Sequence, residues 1–219
     1  MEGRRSLKIT TFRGREDKLA EAARPFAEYL KADVLDVGCD AKHLSKAVQG
    51  RYIGVDIAGL ADVRVNVEIG LPFHDRTFNT VVAFDVLEHC DRIHSVFDEL
   101  CRVSESHVII GLPNMYEWHF RGSFMLGRGL GGKYGLPSEP PMDRHRWLFN
   151  LADAREFVKQ RGARRGFLVV EELLGYYAYR RLLPKLVTAL GKHLAPRAAS
   201  LFAYHYCAVL KRVHGSPSG

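Results

Sequence analysis

The sequence lacks the features that mark secreted, membrane-spanning or disulfide-bonded proteins. Its four cysteines include no Cys-x-x-Cys pair, so they are most simply reduced thiols. No apolar run approaches the roughly 18 residues of a membrane span. The first five residues lack the apolar core of a secretion signal. We therefore expect a cytoplasmic protein.

Two further absences narrow the chemistry. No Gly-x-Gly-x-x-Gly follows the first apolar strand and no Tyr-x-x-x-Lys pair occurs, which disfavours a nicotinamide dehydrogenase. The histidines also lack zinc-like pairing, because His89 and His94 stand five residues apart, a poor spacing for two ligands on one helix. The sequence accordingly predicts no metal site.

Charge is distributed unevenly along the chain. The net charge is +7, yet residues 155–219 alone hold 12 Lys and Arg against 3 Asp and Glu, and residues 1–154 are slightly acidic. A one-sided field of this kind attracts nucleic acid, an anionic membrane surface or a phosphorylated substrate. A solvated basic face without a partner is an equally open interpretation.

Residues 34–39 are the best starting point for the fold. A short apolar run ends at Gly38, a helical pattern follows over 41–48, and a second apolar run ends at Asp56, 18 residues after the glycine. This order predicts a β-α-β unit, with close backbone approach to a ligand at Gly38 and a carboxylate placed for ribose hydroxyls. A nucleoside cofactor is the first hypothesis.

The rest of the chain continues this alternation. Residues 1–14 show no clear period and are expected to be an irregular arm. Apolar spacing predicts helices over 16–30, over 91–103 with Asp91 as its cap, and from Asn150 to about Gly162 with Asp153 completing a capping box. Further strands are expected at 61–67, 80–84, 107–112, 166–171 and 202–210.

Two stretches interrupt the pattern within what we expect to be a single domain of residues 1–219. Residues 115–149 are rich in glycine and aromatic residues, which favours a packed, lid-like insertion over disorder. Residues 176–202 predict one or two basic amphipathic helices, interrupted at Pro184 and Pro196.

Residues 33–114 resemble the class I S-adenosylmethionine-dependent methyltransferases, most closely the small-molecule type 11 group. The resemblance implies an α/β, Rossmann-like sheet of seven mostly parallel strands, with the last strand antiparallel and helices on both faces. It rests on several motifs in the right order: Val34-Leu-Asp-Val-Gly-Cys39, Gly54-Val-Asp-Ile57, Leu71-Pro-Phe73 with Asp75 and Phe78, Phe84-Asp-Val-Leu-Glu-His89, Glu99-Leu-Cys-Arg-Val103 and Leu112-Pro-Asn114.

By that resemblance the chain binds S-adenosyl-L-methionine at the ends of its strands. The implied contacts are Asp36, Val37 and Gly38 to the methionine part, Asp56 to both ribose hydroxyls, Ile57, Asn66 and Val67 to the adenine, and Phe84 beside the sulfonium. A carboxylate suits a cis-diol because its two oxygens accept two donors.

One part of the site departs from the family pattern. The first loop usually continues Gly-x-Gly-x-Gly, but Asp40 and Lys42 occupy the second and third glycine places. Their side chains would crowd the cofactor or shift the loop. Lys42 could instead pair with the cofactor carboxylate, and a non-catalytic copy of the fold stays open.

His89 is the candidate general base for a hydroxyl acceptor. It follows the predicted strand 80–84, whose end faces the cofactor crevice in this fold, and imidazole titrates near neutral pH. The competing interpretation is a structural role at the start of the next helix.

The candidate acceptor-binding residues lie in the insertion: Tyr134, Arg144, His145, Arg146 and Trp147. Two arginines beside a histidine and an aromatic ring suit a phosphate or carboxylate and a stacked ring or sugar. The alternative is a salt-bridged lid anchored by Trp147.

These observations predict methyl transfer to a small molecule, on a hydroxyl of a saccharide, lipid-linked or secondary-metabolite acceptor. The basic helices predict a peripheral contact with anionic membrane. The alternatives are an RNA methyltransferase that uses the basic third, which is the less favoured partner class, and a binding module without catalysis. The absence of an Asn-Pro-Pro-Tyr motif argues against DNA-base or protein-amine methylation.

Overall fold

Apolar strands from both halves of the chain assemble into one eight-stranded sheet of order β1-β7-β8-β6-β5-β2-β3-β4. The computed structural model describes residues 6–129, 134, 138–139, 144–179, 182–194 and 198–213. Only β8 runs antiparallel to its neighbours. The predicted, mostly parallel α/β sheet with an antiparallel last strand is therefore confirmed. The strands are β1 Ser6–Phe12, β2 Val34–Val37, β3 Tyr52–Asp56, β4 Val63–Arg64, β5 Phe78–Phe84, β6 Ser104–Pro113, β7 Phe167–Tyr177 and β8 His205–Arg212.

The eighth strand is β1, which the sequence did not predict. It pairs in parallel with β7 at the sheet edge. Lys8 fastens it, because its Nζ donates to the Pro25 carbonyl and to the Glu171 carboxylate, both at 2.7 Å. Most of its side chains are exposed or half-buried, so the strand carries no clear apolar alternation.

The helices cover both faces of the sheet. They are α1 Arg15–Ala23, α2 Ile93–Val103, α3 Trp118–Met125, α4 Leu151–Arg164, α5 Leu182–His193 and α6 Ala199–Phe202, with 3-10 segments at Arg24–Leu30, His43–Ala47 and Leu87–His89. The predicted helix 16–30 changes to a 3-10 segment at Arg24, where Pro25 removes a backbone donor. Among the described helices, none is both long and apolar enough to cross a membrane.

The central strand β5 shows how the two faces are filled. Val81 and Ala83 belong to the core beneath α2 and α4, whereas Val82 and Phe84 belong to the core beneath α1. All four are buried, since a parallel strand with helices on both faces meets water on neither.

The two helix caps predicted from sequence had different outcomes. Asn150 caps α4 as expected, accepting the Asp153 N–H at 2.9 Å. Asp91 does not cap α2 with its side chain. The Glu68 carboxylate accepts the N–H groups of Asp91 and Arg92 at 3.1 Å each, so a residue from the loop between β4 and β5 supplies the cap.

Arg102 connects two of the motifs noted in the sequence, Leu71–Phe73 with Asp75 and Glu99–Val103. Its guanidinium donates to the carbonyls of Leu71 and Phe73 and to the carboxylates of Asp75 and Glu99, at 2.8–3.0 Å. The planar fork of arginine can serve all these acceptors at once. The residue therefore fixes the 71–75 loop to α2.

Replacing Arg102 by lysine tests this attachment. We expect Arg102→Lys to lower the free energy of unfolding by about 2 kcal/mol, because one ammonium cannot replace the planar set of donors. Urea denaturation measures the loss, and the exposed Arg164→Lys on α4 serves as the control. Equal midpoints for the two variants would show that Arg102 contributes no more than a surface charge.

Candidate cofactor and acceptor site

The carboxyl ends of β2, β3 and β5 meet at one edge of the sheet, which brings Asp36, Asp56 and Asp85 together. In open α/β sheets this edge is where ligands bind. Each of the three carboxylates has a different environment.

Asp36 is a buried carboxyl on the central strand β2. The Tyr52 hydroxyl donates to its Oδ2 at 2.6 Å. Burial raises the pKa of Asp36 to about 7, opposed by the Tyr52 hydrogen bond and reinforced by the charge of Asp56. This carboxyl is therefore close to its protonation midpoint at neutral pH.

Gly38 forms the tight turn that the sequence predicted. Its φ is +75°, and a Cβ there would lie 2.3 Å from Cγ2 of Val86. Both constraints require glycine, since a side chain would be strained and would also collide with the loop after β5. The turn is fixed to β3, because the N–H groups of Gly38 and Cys39 both donate to the Val55 carbonyl, at 2.8 and 3.2 Å.

Asp40 and Lys42 keep the left-handed backbone that glycines would give this loop, with φ of 46° and 56°. Neighbouring contacts hold them there. Asp40 N–H donates to the Asp56 carboxylate at 3.0 Å, and the Asp40 carbonyl accepts Leu60 N–H at 3.0 Å. Since non-glycine residues in this region cost about 1–2 kcal/mol each, the loop is held by its surroundings.

Lys42 pairs with Asp62. Asp62 also accepts the Gly54 N–H at 2.8 Å, so the lysine is tied to the start of the β3–β4 connection. The expected pairing of Lys42 with a cofactor carboxylate stays a prediction that requires this ion pair to open. The predicted helix over 41–48 is reduced to the 3-10 segment His43–Ala47, because it begins at the left-handed Lys42.

Asp56 and Ile57 fit the cofactor they were predicted to bind. The two Asp56 oxygens accept the N–H groups of Asp40 and Ala58, which orients the carboxylate and leaves a second lone pair on each oxygen. The adjacent Ile57 side chain is 61% exposed, an apolar surface suited to an adenine ring. Their chemistry is compatible with a ribose and a base, and the contacts of Asp56 and Ile57 with the cofactor stay predictions.

The other predicted cofactor residues have mainly structural contacts. Asn66 accepts the Glu68 N–H at 3.0 Å in a local turn, and Val67 packs partly against the core. Phe84 is buried on the α1 face, beside His205. Val37 is likewise buried in β2. The cofactor contacts of these residues stay predictions.

A buried polar chain at this edge was missed by the sequence analysis. The Asp85 carboxylate pairs with Lys18 of α1 and lies 2.8 Å from Nε2 of His205 on β8. His205 Nδ1 lies 3.2 Å from the Cys207 thiol. Asp85 has a φ of 56°, so the chain turns sharply where β5 ends.

The charges of these hydrogen-bonded side chains follow from burial and pairing. Burial opposes ionisation of Asp85, but His205 and Lys18 outweigh it and hold the pKa of Asp85 well below its usual range. Burial lowers the pKa of His205, opposed by the neighbouring Asp85 carboxylate. The His205 Nε2–H donates to Asp85 and its Nδ1 accepts from the Cys207 thiol. Two sequence features could have indicated this network: Asp85 directly follows the apolar strand, and Lys18 stands one helical turn before Ala22 in the predicted helix 16–30.

His89 and the predicted acceptor residues come together although they are far apart in sequence. The rings of His89 and His145 are edge to face with centroids 4.5 Å apart. His89 Nδ1 lies 3.1 Å from the Arg144 carbonyl, and the Tyr134 hydroxyl contacts Nδ1 of His145. His89 Nε2 faces the fully buried Glu88 carboxylate at 3.9 Å.

The segment 144–149 is attached to the sheet edge mainly through backbone groups. Arg146 and Trp147 donate their N–H groups to the Glu88 carbonyl at 2.7 and 3.2 Å, and Met115 N–H donates to the Phe149 carbonyl. The Trp147 indole donates to the Cys90 carbonyl at 2.7 Å, and Arg146 pairs with Asp91. Trp147 therefore has the anchoring role of the lid interpretation.

An open cavity of about 630 Å³ lies beside this segment. It includes three arginines, Arg128, Arg144 and Arg146, together with apolar and aromatic groups. Its described lining is Phe124, Gly127, Arg128, Gly129, Tyr134, Arg144, His145, Arg146 and Leu148. Four of the five predicted acceptor residues line it.

The same architecture occurs in known proteins. A methyltransferase-domain family model matches residues 11–172. No curated protein matches the chain.

Solved structures with similar folds are methyltransferases. An S-adenosylmethionine-dependent methyltransferase from Archaeoglobus fulgidus has a TM-score of 0.59 at 18% identity, covering 92% of this chain and 96% of that one. Magnesium protoporphyrin IX methyltransferase from Synechocystis, solved with S-adenosylhomocysteine, has 0.55 at 14%, covering 90% and 82%. The small RNA methyltransferase HEN1 has 0.59 at 15%, covering 91% of this chain but 25% of its own.

The family match spans well over half of the sequence, and the residues at the strand ends fit a nucleoside cofactor. The chain therefore belongs to the methyltransferase-domain family and is an S-adenosylmethionine-dependent methyltransferase.

Proposed function

We propose that this enzyme methylates a hydroxyl of a small, anionic acceptor, such as a saccharide, lipid-linked or secondary-metabolite substrate. The observation that carries the proposal is the convergence of His89 with Tyr134 and His145 beside the arginine-lined cavity. A cavity of about 630 Å³ is of small-molecule size.

The residues divide between cofactor and acceptor. The bound cofactor supplies an electrophilic methyl group, and Asp36 to Gly38, Asp56 and Ile57 orient it. Methyl transfer is an in-line displacement, so positioning of the hydroxyl supplies much of the catalysis. His89 accepts the hydroxyl proton, oriented by the Arg144 carbonyl at its Nδ1. Arg128 and Arg144 bind the acceptor's negative group.

The basic C-terminal third supports RNA binding less well than its composition suggested. Arg155 pairs with Glu172, and both Arg161 and Arg165 pair with Asp98. Arg212 donates to the carbonyls of Cys101 and Ser104 and lies over the Phe167 ring. These cations have partners within the fold, so they are poorly placed for a phosphate backbone. The likeness to HEN1 concerns the fold alone.

An exposed leucine row on α5 supports contact with a membrane. Leu186, Leu190 and Leu194 are spaced four residues apart and all exposed. The opposite side packs on α6, since a Cβ at Gly191 would meet the Phe202 ring. Lys185 and Lys192 lie on the other side of the same helix from the leucine row, while Arg180, Arg181 and Arg197 lie outside the described residues. Apolar and basic groups on one helix suit an anionic lipid surface.

Cofactor binding should depend on pH through Asp36. The carboxyl is largely protonated below its pKa of about 7, whereas the cofactor's ammonium group favours the carboxylate, so binding expels a proton. We expect the affinity for S-adenosylhomocysteine to strengthen by up to about tenfold per pH unit between pH 5.5 and 7 and then to level off. Isothermal titration calorimetry in buffers of different ionisation enthalpy measures both quantities.

Variants separate this effect from general weakening. Asp36→Asn should bind S-adenosylhomocysteine more weakly, and its affinity should no longer change with pH. Asp56→Asn should also bind more weakly but keep the pH dependence of the wild type. Asp33→Asn, at the far end of the same strand, is the control and should match the wild type. A slope that persists in Asp36→Asn would show that another group titrates.

The acceptor class is tested by release of S-adenosylhomocysteine from S-adenosylmethionine. We expect turnover with phosphorylated or lipid-linked saccharides and none with short RNAs. For an acceptor that turns over, Arg144→Gln should raise KM about tenfold with little change in kcat, because a charge-assisted contact is lost. Arg164→Gln is the matched control. Turnover confined to RNA would replace the small-molecule proposal with the RNA alternative.

Co-sedimentation with liposomes tests the α5 surface. Wild-type protein should prefer vesicles containing anionic lipid, and the double variant Leu186→Ser, Leu190→Ser should lose about tenfold or more in partitioning. Leu168→Ser, at an exposed leucine of β7, controls for general loss of apolar surface. Equal sedimentation with neutral and anionic vesicles would remove the membrane contact.

A further inference from the structure

Three potential metal ligands converge at the acceptor side of the site. One carboxylate oxygen of Glu88 and one ring nitrogen each of His89 and His145 all lie within 4.8 Å of one another. Glu88 is fully buried, and both histidines are half-buried. The sequence suggested no such group, because the partner of His89 is 56 residues away and not the nearby His94.

The contacts around both imidazoles orient them as metal ligands are usually oriented. His89 Nδ1 lies against the Arg144 carbonyl, which requires a proton on Nδ1 and directs the Nε2 lone pair toward Glu88. The Tyr134 hydroxyl holds Nδ1 of His145, which leaves Nε2 as the ligand atom. A hydrogen bond at the second ring nitrogen fixes the tautomer and the direction of a metal-binding histidine.

The donor set and its spacing limit the ion. Two imidazoles and one carboxylate suit a divalent transition metal and are poor ligands for a calcium-type site. Three ligand atoms evenly spaced at about 2.1 Å around one ion lie about 3.4–3.6 Å apart. Pairs as far apart as 4.8 Å therefore need to close by roughly 1.2–1.4 Å, a movement within reach of side-chain torsions. Three protein ligands leave further positions open for water or substrate.

We propose that Glu88, His89 and His145 bind one divalent transition-metal ion, of the Mn²⁺, Co²⁺ or Zn²⁺ class, beside the acceptor cavity. The ion would be held by one negatively charged carboxylate and two imidazoles. His145 also lines the arginine-lined cavity, so an acceptor hydroxyl or phosphate oxygen bound there would be near the ion.

The catalytic part of this inference rests on the proposed hydroxyl methylation. A hydroxyl bound to the ion loses its proton more readily, as metal-bound water does, and the proton passes to solvent or buffer. His89 then acts as a ligand through Nε2, in place of the base it would be without metal. The two roles of His89 exclude each other and can be told apart.

Direct binding tests the site without cofactor or acceptor. Co²⁺ titrated into metal-stripped full-length protein should give visible absorption saturating at one ion per chain. His89→Ala and His145→Ala should each weaken binding by about tenfold or more, and Glu88→Gln should do the same. His74→Ala, an exposed loop histidine, should bind like the wild type. Thermal unfolding of each variant shows whether it is folded. If His145→Ala does not fold, His145→Asn takes its place.

The outcomes separate the metal from methyl transfer. Absence of Co²⁺ and Mn²⁺ binding, or equal binding by wild type and all ligand variants, would overturn the site whether or not the enzyme methylates an acceptor. Turnover that falls at least tenfold on chelation and returns with Mn²⁺ supports the catalytic part. If turnover is unchanged in chelator but is lost in His89→Ala, His89 is the base. That result would overturn the catalytic role of the metal and leave the binding site itself standing.

Discussion

The negative charge of Asp85 at the end of the central strand β5 organises this enzyme. The Asp85 side chain is half-buried, and its carboxylate is compensated by two buried groups, Lys18 from α1 and His205 from β8. The same residue has a left-handed backbone that turns the chain from β5 into the segment Leu87–His89. One ionic contact thus joins the N-terminal helix, the last strand and the loop that carries the chemistry.

Most of the cofactor half of the fold could be predicted from the sequence, because parallel strands and amphipathic helices leave periodic patterns. Strands β2, β3, β5 and β6 and helix α2 follow directly from apolar spacing. Strand β1 could not be predicted, since its side chains, apart from the buried Phe12, are exposed or half-buried without a clear alternation, and its backbone pairing with β7 defines it. The prediction that Asp91 caps α2 was wrong for a similar reason, because Glu68 is distant in sequence from the helix it caps.

The acceptor half was predictable by residue type but not by arrangement. Histidine, arginine and tryptophan in the insertion indicated a ligand, and His89 indicated proton transfer. Residue spacing could not predict that Arg144 and Trp147 contact the Leu87–His89 segment, because backbone hydrogen bonds between distant segments do not depend on residue type. Lys42 illustrates the converse, since its type suggested a ligand contact and its neighbour Asp62 gave it a different partner.

The attachment of the 144–149 segment has a consequence for how this enzyme can diversify. Backbone N–H groups of Arg146 and Trp147 hold it to the Glu88 carbonyl, and such bonds survive most changes of side chain. Side chains along its cavity-facing side are therefore comparatively free to mutate while the cofactor residues stay under separate constraint. Descendants of this fold could acquire new acceptors by drift in a few positions, while the backbone attachment of the segment to the sheet edge stays in place.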